Sequence, residues 1–286
     1  MTLYRPPSEA RSLILQATTG CPWNRCTFCA MYRDRSFQIL PLDALERALD
    51  RLTPAQVAGV TRVFVADGDA LAMSPERWMA LLEALRYRFR RLERVSSYAS
   101  TRSILRWTPT ALREVREAGL SLLYLGPESG DDQTLARLQK GSTASEHQEA
   151  AARCREGGPM LSTMFLLGAG GSDRSQEHAE ATATLVTQMD PAFVSLLALT
   201  VVPGTPLAEE VRRGEFSPLS PRGMLRELRV IVDRANPTAA ELRSNHASNY
   251  LVLKGSLPKD RQALLHRVDL ALAGELPLRP EEHRGL

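Results

Sequence analysis

The sequence predicts an α/β fold: a partial, TIM-like barrel of six strand–helix units, (βα)6, followed by a mainly helical C-terminal extension. Two observations support this prediction. Short apolar runs alternate with segments of helical spacing from residue 12 to about residue 200, and the alternation stops after the Pro-Gly-Thr-Pro sequence at residues 203–206. Strands that alternate with helices indicate parallel βαβ units. Six such units fall short of the eight that close a complete barrel.

Each element is predicted from its own local pattern. The strands are short apolar runs, predicted at residues 13–16, 62–66, 95–99, 122–125, 161–167 and 193–199. The helices have apolar residues at helical spacing, predicted at residues 42–52, 75–90, 110–118, 132–138, 145–156 and 176–188. Gly119 follows the third of these helices, where a glycine typically ends a helix.

The C-terminal part has a different pattern, with helical segments at residues 224–235 and 261–272 separated by prolines. We therefore divide the chain into a barrel domain, residues 1–206, and an extension, residues 207–286, that we expect to cover the barrel.

Composition narrows the class of protein. The 286 residues are 43% hydrophobic and 24% charged with a net charge of +3, as in an ordinary soluble domain. A basic run with interleaved aromatic residues is missing, so nucleic acid is an unexpected partner. Residues 1–10 are too polar for a signal peptide, and no apolar run approaches the roughly 20 residues of a membrane span. The sequence predicts a cytoplasmic protein without membrane association.

Three of the four cysteines, Cys21, Cys26 and Cys29, lie within nine residues, directly after the first predicted strand. A reducing compartment disfavours disulfides, so the cluster predicts a metal site. Loops that follow the strands form the active face of a parallel α/β barrel. Three thiolates suit a soft metal or an iron–sulfur cluster, and on a four-iron cluster they leave one iron open to a ligand. Structural zinc remains an alternative, although the nearest histidine, His147, is remote in sequence.

With the sequence Thr-Thr-Gly-Cys-Pro-Trp-Asn-Arg-Cys-Thr-Phe-Cys, this loop resembles that of the radical S-adenosylmethionine (SAM) superfamily. The resemblance is closest to the branch of coproporphyrinogen oxidase-like and Elp3-like enzymes. Four residues separate Cys21 from Cys26, where three are usual. The resemblance implies that Cys21, Cys26 and Cys29 hold a [4Fe–4S] cluster, that Phe28 adjoins the cofactor, and that SAM binds the open iron.

Further segments match the family in order along the chain. Gly68 and Asp69 stand where the family receives the SAM amino group. Glu128 and Ser129, within Gly-Pro-Glu-Ser-Gly after the fourth strand, stand where it binds the ribose hydroxyls. Lys140 matches the residue that contacts the SAM carboxylate. As local patterns, a polar turn after a strand and a Lys-Gly helix end are the alternatives for the residue 66–70 segment and for Lys140.

Two later segments also match. Gly168 opens a glycine-rich loop after the fifth strand, and Val202 lies in the segment that packs on adenine after the sixth. Neither is specific alone.

The extension contains a dense polar group at residues 244–250, with His246 between Asn245 and Asn249. We expect this group to contact the substrate, with His246 as a proton donor. A capped turn before the apolar residues 251–253 is the alternative. Cys154 is expected to be a buried, inert thiol. The remaining histidines are expected to be exposed on helices or in the tail: His147, His178, His266 and His283.

The implied activity is reductive cleavage of SAM to a 5′-deoxyadenosyl radical, which takes a hydrogen atom from a small-molecule substrate. A flavodoxin or ferredoxin-like protein is the implied electron donor. The sequence leaves two alternatives open: a non-catalytic iron–sulfur or haem-handling protein on the same fold, and a zinc-stabilised barrel enzyme.

Overall fold

A computed structural model describes residues 3–285, and strands alternate with helices as the sequence predicts. The strands are β1 (Leu13–Gln16), β2 (Thr18–Thr19), β3 (Gln38–Ile39), β4 (Arg62–Ala66), β5 (Arg94–Ala99), β6 (Leu120–Glu128), β7 (Met160–Leu167), β8 (Phe193–Ala198), β9 (Ala240–Arg243) and β10 (Lys254–Leu257). The helices are α1 (Leu42–Asp50), α2 (Pro54–Gly59), α3 (Pro75–Arg88), α4 (Thr101–Arg106), α5 (Pro109–Ala118), α6 (Asp132–Arg137), α7 (Ala144–Arg155), α8 (Ser175–Met189), α9 (Pro206–Arg212), α10 (Pro221–Arg234) and α11 (Arg261–Ala273).

The chain forms two compact units. The first contains residues up to 24, 31–125 and 152–161. Its sheet has the order β1-β4-β5-β6, and each neighbouring pair is parallel. Phe64 stands opposite Ser96 and Tyr98 opposite Tyr124 in this register. The rings of Phe64 and Tyr98 meet edge to face at 5.1 Å, so aromatic residues fill one face of the sheet.

Local signals explain the helices of the first unit. Ser74 and Thr108 each precede a proline, and their hydroxyls cap α3 and α5 by accepting the N–H groups of Arg77 and Ala111. Proline at the first helical position fits because its missing N–H would have no partner there. The predicted stop at Gly119 is confirmed by its φ of 122°, which favours glycine.

The second unit contains residues 25–30, 126–151 and those from 162 onward. Its strands have the order β7-β8-β9-β10, with β9 parallel to β8 and β10 antiparallel to β9. The extension is mainly helical, as predicted, but these last two strands were missed. Ala240 and Leu242 are buried and alternate with half-buried charged residues, a pattern only four residues long. So short a pattern becomes a strand only where β8 offers it a partner.

The expected exposure of His147 and His178 is wrong, because both side chains are fully buried. His178 lies on the buried face of α8 with Thr182 and Leu185, at helical spacing. Because most residues next to His178 in sequence are charged or polar, the local pattern did not indicate that its side chain is buried. Burial and the nearby charge of Lys140 lower the pKa of His147 to about 3, so its ring is neutral near pH 7. Among residues 3–285, none of the helices has both the length and the apolar character that a membrane crossing requires.

Candidate functional site

The cysteine loop begins directly after β2. Gly20 adopts a φ of 69°, and a Cβ atom there would lie 2.9 Å from the Ser36 carbonyl oxygen, so the turn into Cys21 requires glycine. Cys21 is half-buried and belongs to the first unit. Cys26 and Cys29 are half-buried residues of the second unit, where the Cys29 N–H donates to the Cys26 carbonyl oxygen at 3.3 Å.

The thiols of this loop fit the donor set of an iron–sulfur cluster. In the described part of the chain, no cysteine forms a disulfide. Over the same residues, no three His, Cys, Asp or Glu side chains surround the position of a single metal ion. A four-iron cluster differs from a single ion, because each thiolate binds its own iron. Burial raises the pKa of Cys154 to about 12, which keeps this thiol protonated and unsuited to the same role.

Backbone contacts within the second unit anchor the segment that carries Cys26 and Cys29. The Thr27 N–H donates to the Leu138 carbonyl at 2.9 Å, and the Thr27 carbonyl accepts from the Leu207 N–H at 3.1 Å. Phe28 packs against a buried apolar cluster that contains Leu207 and Phe216. The cluster therefore holds Phe28 in place between the two cysteines; whether Phe28 also adjoins a cofactor stays a prediction.

The β4 loop, residues 66–70 of the first unit, is closely packed. At Gly68 a Cβ atom would lie 2.8 Å from both the Gly20 carbonyl oxygen and the Tyr32 ring. Asp67 is buried and was not predicted as a site residue. Its Oδ1 accepts a 2.5 Å hydrogen bond from the Tyr32 hydroxyl, whereas its Oδ2 is buried with no hydrogen-bond partner among the described residues. Burial raises the pKa of Asp67, although the Tyr32 hydrogen bond acts to lower it.

Asp69, in the same loop, has a similar environment. Its Oδ2 accepts a 2.6 Å hydrogen bond from the Ser103 hydroxyl, and its buried Oδ1 has no partner at hydrogen-bond geometry in the described residues. Burial raises the pKa of Asp69, against the lowering effect of the Ser100 and Ser103 hydroxyls. Both acids of the β4 loop thus present one buried oxygen that can accept a hydrogen bond from a ligand.

The β6 segment, residues 126–130 of the second unit, presents a charged pair. Lys140 Nζ donates to Glu128 Oε1 at 2.9 Å, and the side chains are 19% and 12% exposed. Glu128 has a φ of 69°, a left-handed conformation that is unfavourable for residues other than glycine. A Cβ atom at Gly126 would collide with Glu128 Oε1, so glycine leaves the space over which the carboxylate folds. The structure therefore brings Glu128 and Lys140 together as an ion pair, and their contacts with SAM stay a prediction.

Ser129 and Gly168 are held by two residues that the sequence analysis missed. The Ser129 hydroxyl is buried and lies 2.7 Å from His178 Nδ1. The Gly168 N–H donates to Glu227 Oε2 at 2.5 Å. His178 and Glu227 are both buried, and no motif surrounds either in the sequence.

Val202 lies in the turn before α9. Its carbonyl oxygen accepts hydrogen bonds from the Thr205 hydroxyl at 2.7 Å and from the Thr205 N–H at 3.3 Å. The same hydroxyl caps α9. The hydrogen bonds to Thr205 are enough to explain why this turn forms. Contact between Val202 and adenine stays a prediction.

The polar group of the extension is bound largely within its own turn. His246 is half-buried, and its Nδ1 accepts the Ser248 N–H at 3.1 Å, as in a capped turn. Burial lowers the pKa of His246. The buried amide of Asn249 donates to the Leu196 carbonyl and accepts the Ala198 N–H, both at 2.7 Å, and its contact with the substrate stays a prediction. The role of His246 as a proton donor stays a prediction.

Comparisons with known proteins agree with the resemblance in the sequence. A family model of the Radical SAM superfamily matches residues 15–181, more than half of the chain. The 4′-phospho-dehydrooxetanocin synthase of Priestia megaterium is 25% identical in an alignment of 154 residues, and the match covers 48% of this chain and 20% of that enzyme. The chain therefore spans about a fifth of the length of this curated relative.

Solved structures share the fold at low identity. Coproporphyrinogen III oxidase from Escherichia coli, described as a radical SAM enzyme, superposes with a TM-score of 0.59 and 16% identity over 79% of this chain and 52% of its own. A radical SAM methyltransferase from Kitasatospora setae, solved with cobalamin and a [4Fe–4S] cluster bound, gives a TM-score of 0.57 and 17% identity over 71% of this chain and 39% of its own. These likenesses confirm the predicted α/β, barrel-type fold class.

Proposed function

This chain belongs to the radical SAM superfamily, and on that premise we propose that it is an enzyme whose Cys21, Cys26 and Cys29 bind a [4Fe–4S] cluster. The observation that carries the proposal is the three-cysteine loop, which follows the first strands and lies inside the matched residues 15–181. When bound, the reduced cluster and SAM supply a carbon radical that removes a hydrogen atom from a substrate. The chain itself binds and orients both cofactors.

Two sets of residues suit different groups of SAM. In the first, the unpartnered oxygens of Asp67 and Asp69 can accept hydrogen bonds from the methionyl ammonium group, and Gly68 allows a close approach of backbone. In the second, Glu128 Oε2 can accept the ribose hydroxyls while Lys140 binds the SAM carboxylate. The Ser129 and Gly168 backbone and Val202 complete the proposed contacts. The buried, unpartnered oxygens of Asp67 and Asp69 support the proposed ammonium contact, because a hydrogen bond from a ligand would offset the cost of burying them.

The substrate is proposed to be a small molecule and the electron donor a flavodoxin or ferredoxin-like protein, in the cytoplasm. Residues 207–286 are proposed to cover the barrel, with His246 as a proton donor to the substrate. The intermediate burial of His246 is compatible with this role.

The test is metal and sulfide analysis after anaerobic reconstitution. The parent should hold about four irons and four sulfides per chain. Cys21→Ala should lose the cluster and its absorption, whereas Cys154→Ala, which removes a buried thiol, should keep both. Cleavage of SAM under dithionite then separates an enzyme from a non-catalytic iron–sulfur protein. Zinc in place of iron, or a full cluster in Cys21→Ala, would contradict the ligand assignment.

A further inference from the structure

His178 is a fully buried histidine that bonds to strand β7 and to the segment at the end of β6, both in the second unit. Its Nε2 lies 3.0 Å from the Leu166 carbonyl oxygen, and its Nδ1 lies 2.7 Å from the Ser129 hydroxyl. A carbonyl can only accept, so Nε2 carries the ring proton and Nδ1 accepts from Ser129. Burial lowers the pKa of His178 to about 4, which keeps this neutral form at pH 7.

The hydrogen bond between Ser129 and His178 also fixes the position of the β6 segment, to which Ser129 belongs. Its oxygen also accepts the Asp131 N–H at 3.0 Å, so both its donor and an acceptor position are occupied. Ser129 directly follows Glu128, whose φ of 69° persists only where the surroundings hold it. The His178 ring therefore links Ser129 to Leu166, near the end of β7. Because Ser129 is the next residue after Glu128, this link restrains the strained backbone of Glu128.

Glu227, on α10, holds the loop that follows β7. Its Oε2 accepts the Gly168 N–H at 2.5 Å, and its Oε1 accepts the Ser175 hydroxyl at 2.8 Å. Gly168 lies two residues after Leu166, with a φ of 85°. Glu227 thus holds the loop after β7, and His178 connects the end of β7 to the β6 segment.

A catalytic triad of Ser129, His178 and Glu227 does not fit these contacts. The buried Ser129 oxygen is already bonded on two sides, to His178 Nδ1 and to the Asp131 N–H. His178 Nε2 is 3.8 Å from Glu227 Oε2, beyond hydrogen-bond distance, and donates to the Leu166 carbonyl instead.

We propose that His178 is a positioning residue for SAM: by holding Ser129, it keeps Glu128 in the left-handed conformation that presents its carboxylate to the ribose. The inference rests on the proposed function of Glu128. It adds that a residue without contact to SAM sets the affinity for SAM, through a single hydrogen bond at Nδ1.

Two substitutions of His178 separate this role from simple packing. In His178→Asn the amide oxygen stands near the Nδ1 position and can accept from Ser129. In His178→Gln the amide N–H can reach the Leu166 carbonyl, but no acceptor faces Ser129. We expect His178→Gln to raise the Kd of SAM about three- to tenfold, the loss of one buried hydrogen bond, and His178→Asn to raise it less. A packing role predicts the reverse, because Asn leaves the larger cavity.

The measurement is equilibrium binding of SAM to anaerobically reconstituted protein, with thermal unfolding recorded in parallel. Leu185→Ala, a buried change on the same helix, is the matched control and should lower the melting temperature without changing the Kd. In a double-mutant cycle, Glu128→Ala should remove the effect of His178→Gln, because both act on one contact.

The outcomes are distinguishable. If Glu128→Ala weakens SAM binding but His178→Gln does not, the positioning role is wrong and the proposed function stands. Additive effects in the cycle, or a larger effect for His178→Asn, would also overturn the positioning role. If Glu128→Ala leaves the Kd unchanged, the ribose contact itself is wrong, and the inference fails with it.

Discussion

The β4 loop and the β6 segment each lie at the end of a parallel strand and each contain both glycine and an acid. The environments of their carboxyl groups nevertheless differ. Asp67 and Asp69 are buried beside hydroxyl groups, and burial raises their pKa values. Glu128 is partly exposed and pairs with the ammonium group of Lys140. The first environment favours the neutral acid, whereas in the second a Glu128 oxygen accepts a hydrogen bond from the Lys140 ammonium group. Similar short motifs therefore become a hydrogen-bonding site in one case and a charged site in the other.

The largest expected effect tests the close packing of the β4 loop. Gly68→Ala should lower the free energy of unfolding by about 1–3 kcal/mol, because a Cβ atom would meet the Gly20 carbonyl and the Tyr32 ring. Gly59→Ala is the matched control, since no atom lies within 4 Å of a Cβ atom there. Chemical denaturation of the cofactor-free proteins measures both. Equal stability of the two variants would mean that the loop has room to move.

A second prediction concerns ionisation in the β4 loop. Because the folded-state pKa of Asp69 is raised, the folded state holds its proton more tightly than the unfolded chain does, and this stabilisation is lost as pH rises through the folded pKa. Asp69→Asn cannot ionise, so it should gain about 1 kcal/mol relative to the parent between acidic pH and pH 8. Unfolding curves across this pH range measure the difference. A constant difference between the two proteins would show that Asp69 ionises normally.

The smallest expected effect belongs to the β6 segment. Replacing both charges, in the double variant Glu128→Gln with Lys140→Gln, should change the free energy of unfolding by less than about 1 kcal/mol. The removed attraction is offset by the relief of two partly desolvated charges, and the two amides can still form a hydrogen bond. If denaturation shows a loss as large as that of Gly68→Ala, this segment is as much a structural element as the β4 loop.

The contrast between these regions also shows how far the sequence alone could be interpreted. Both segments were identified from acid–glycine patterns after strands, but the ion pair of Glu128 with Lys140 was not predicted. Asp67 was passed over although it adjoins Gly68, because nothing local reveals that its carboxyl group would meet Tyr32, 35 residues away. His178 and Glu227 were missed for the same reason. His178 bonds to Ser129, which is 49 residues away in sequence, and Glu227 bonds to Gly168, which is 59 residues away.

The sequence by itself determined the six main strands, the helices that alternate with them, the helix stop at Gly119 and the three-cysteine loop. These depend on neighbours within a few residues, such as Ser74 before Pro75 or the spacing of Cys26 and Cys29. Only the tertiary structure decided which polar groups are buried, and therefore which are neutral, charged or left with an unpaired oxygen. It also decided that β9 and β10 form. The physical reason is that desolvation and hydrogen bonding depend on whichever distant segment packs against a residue, and no local pattern encodes that partner.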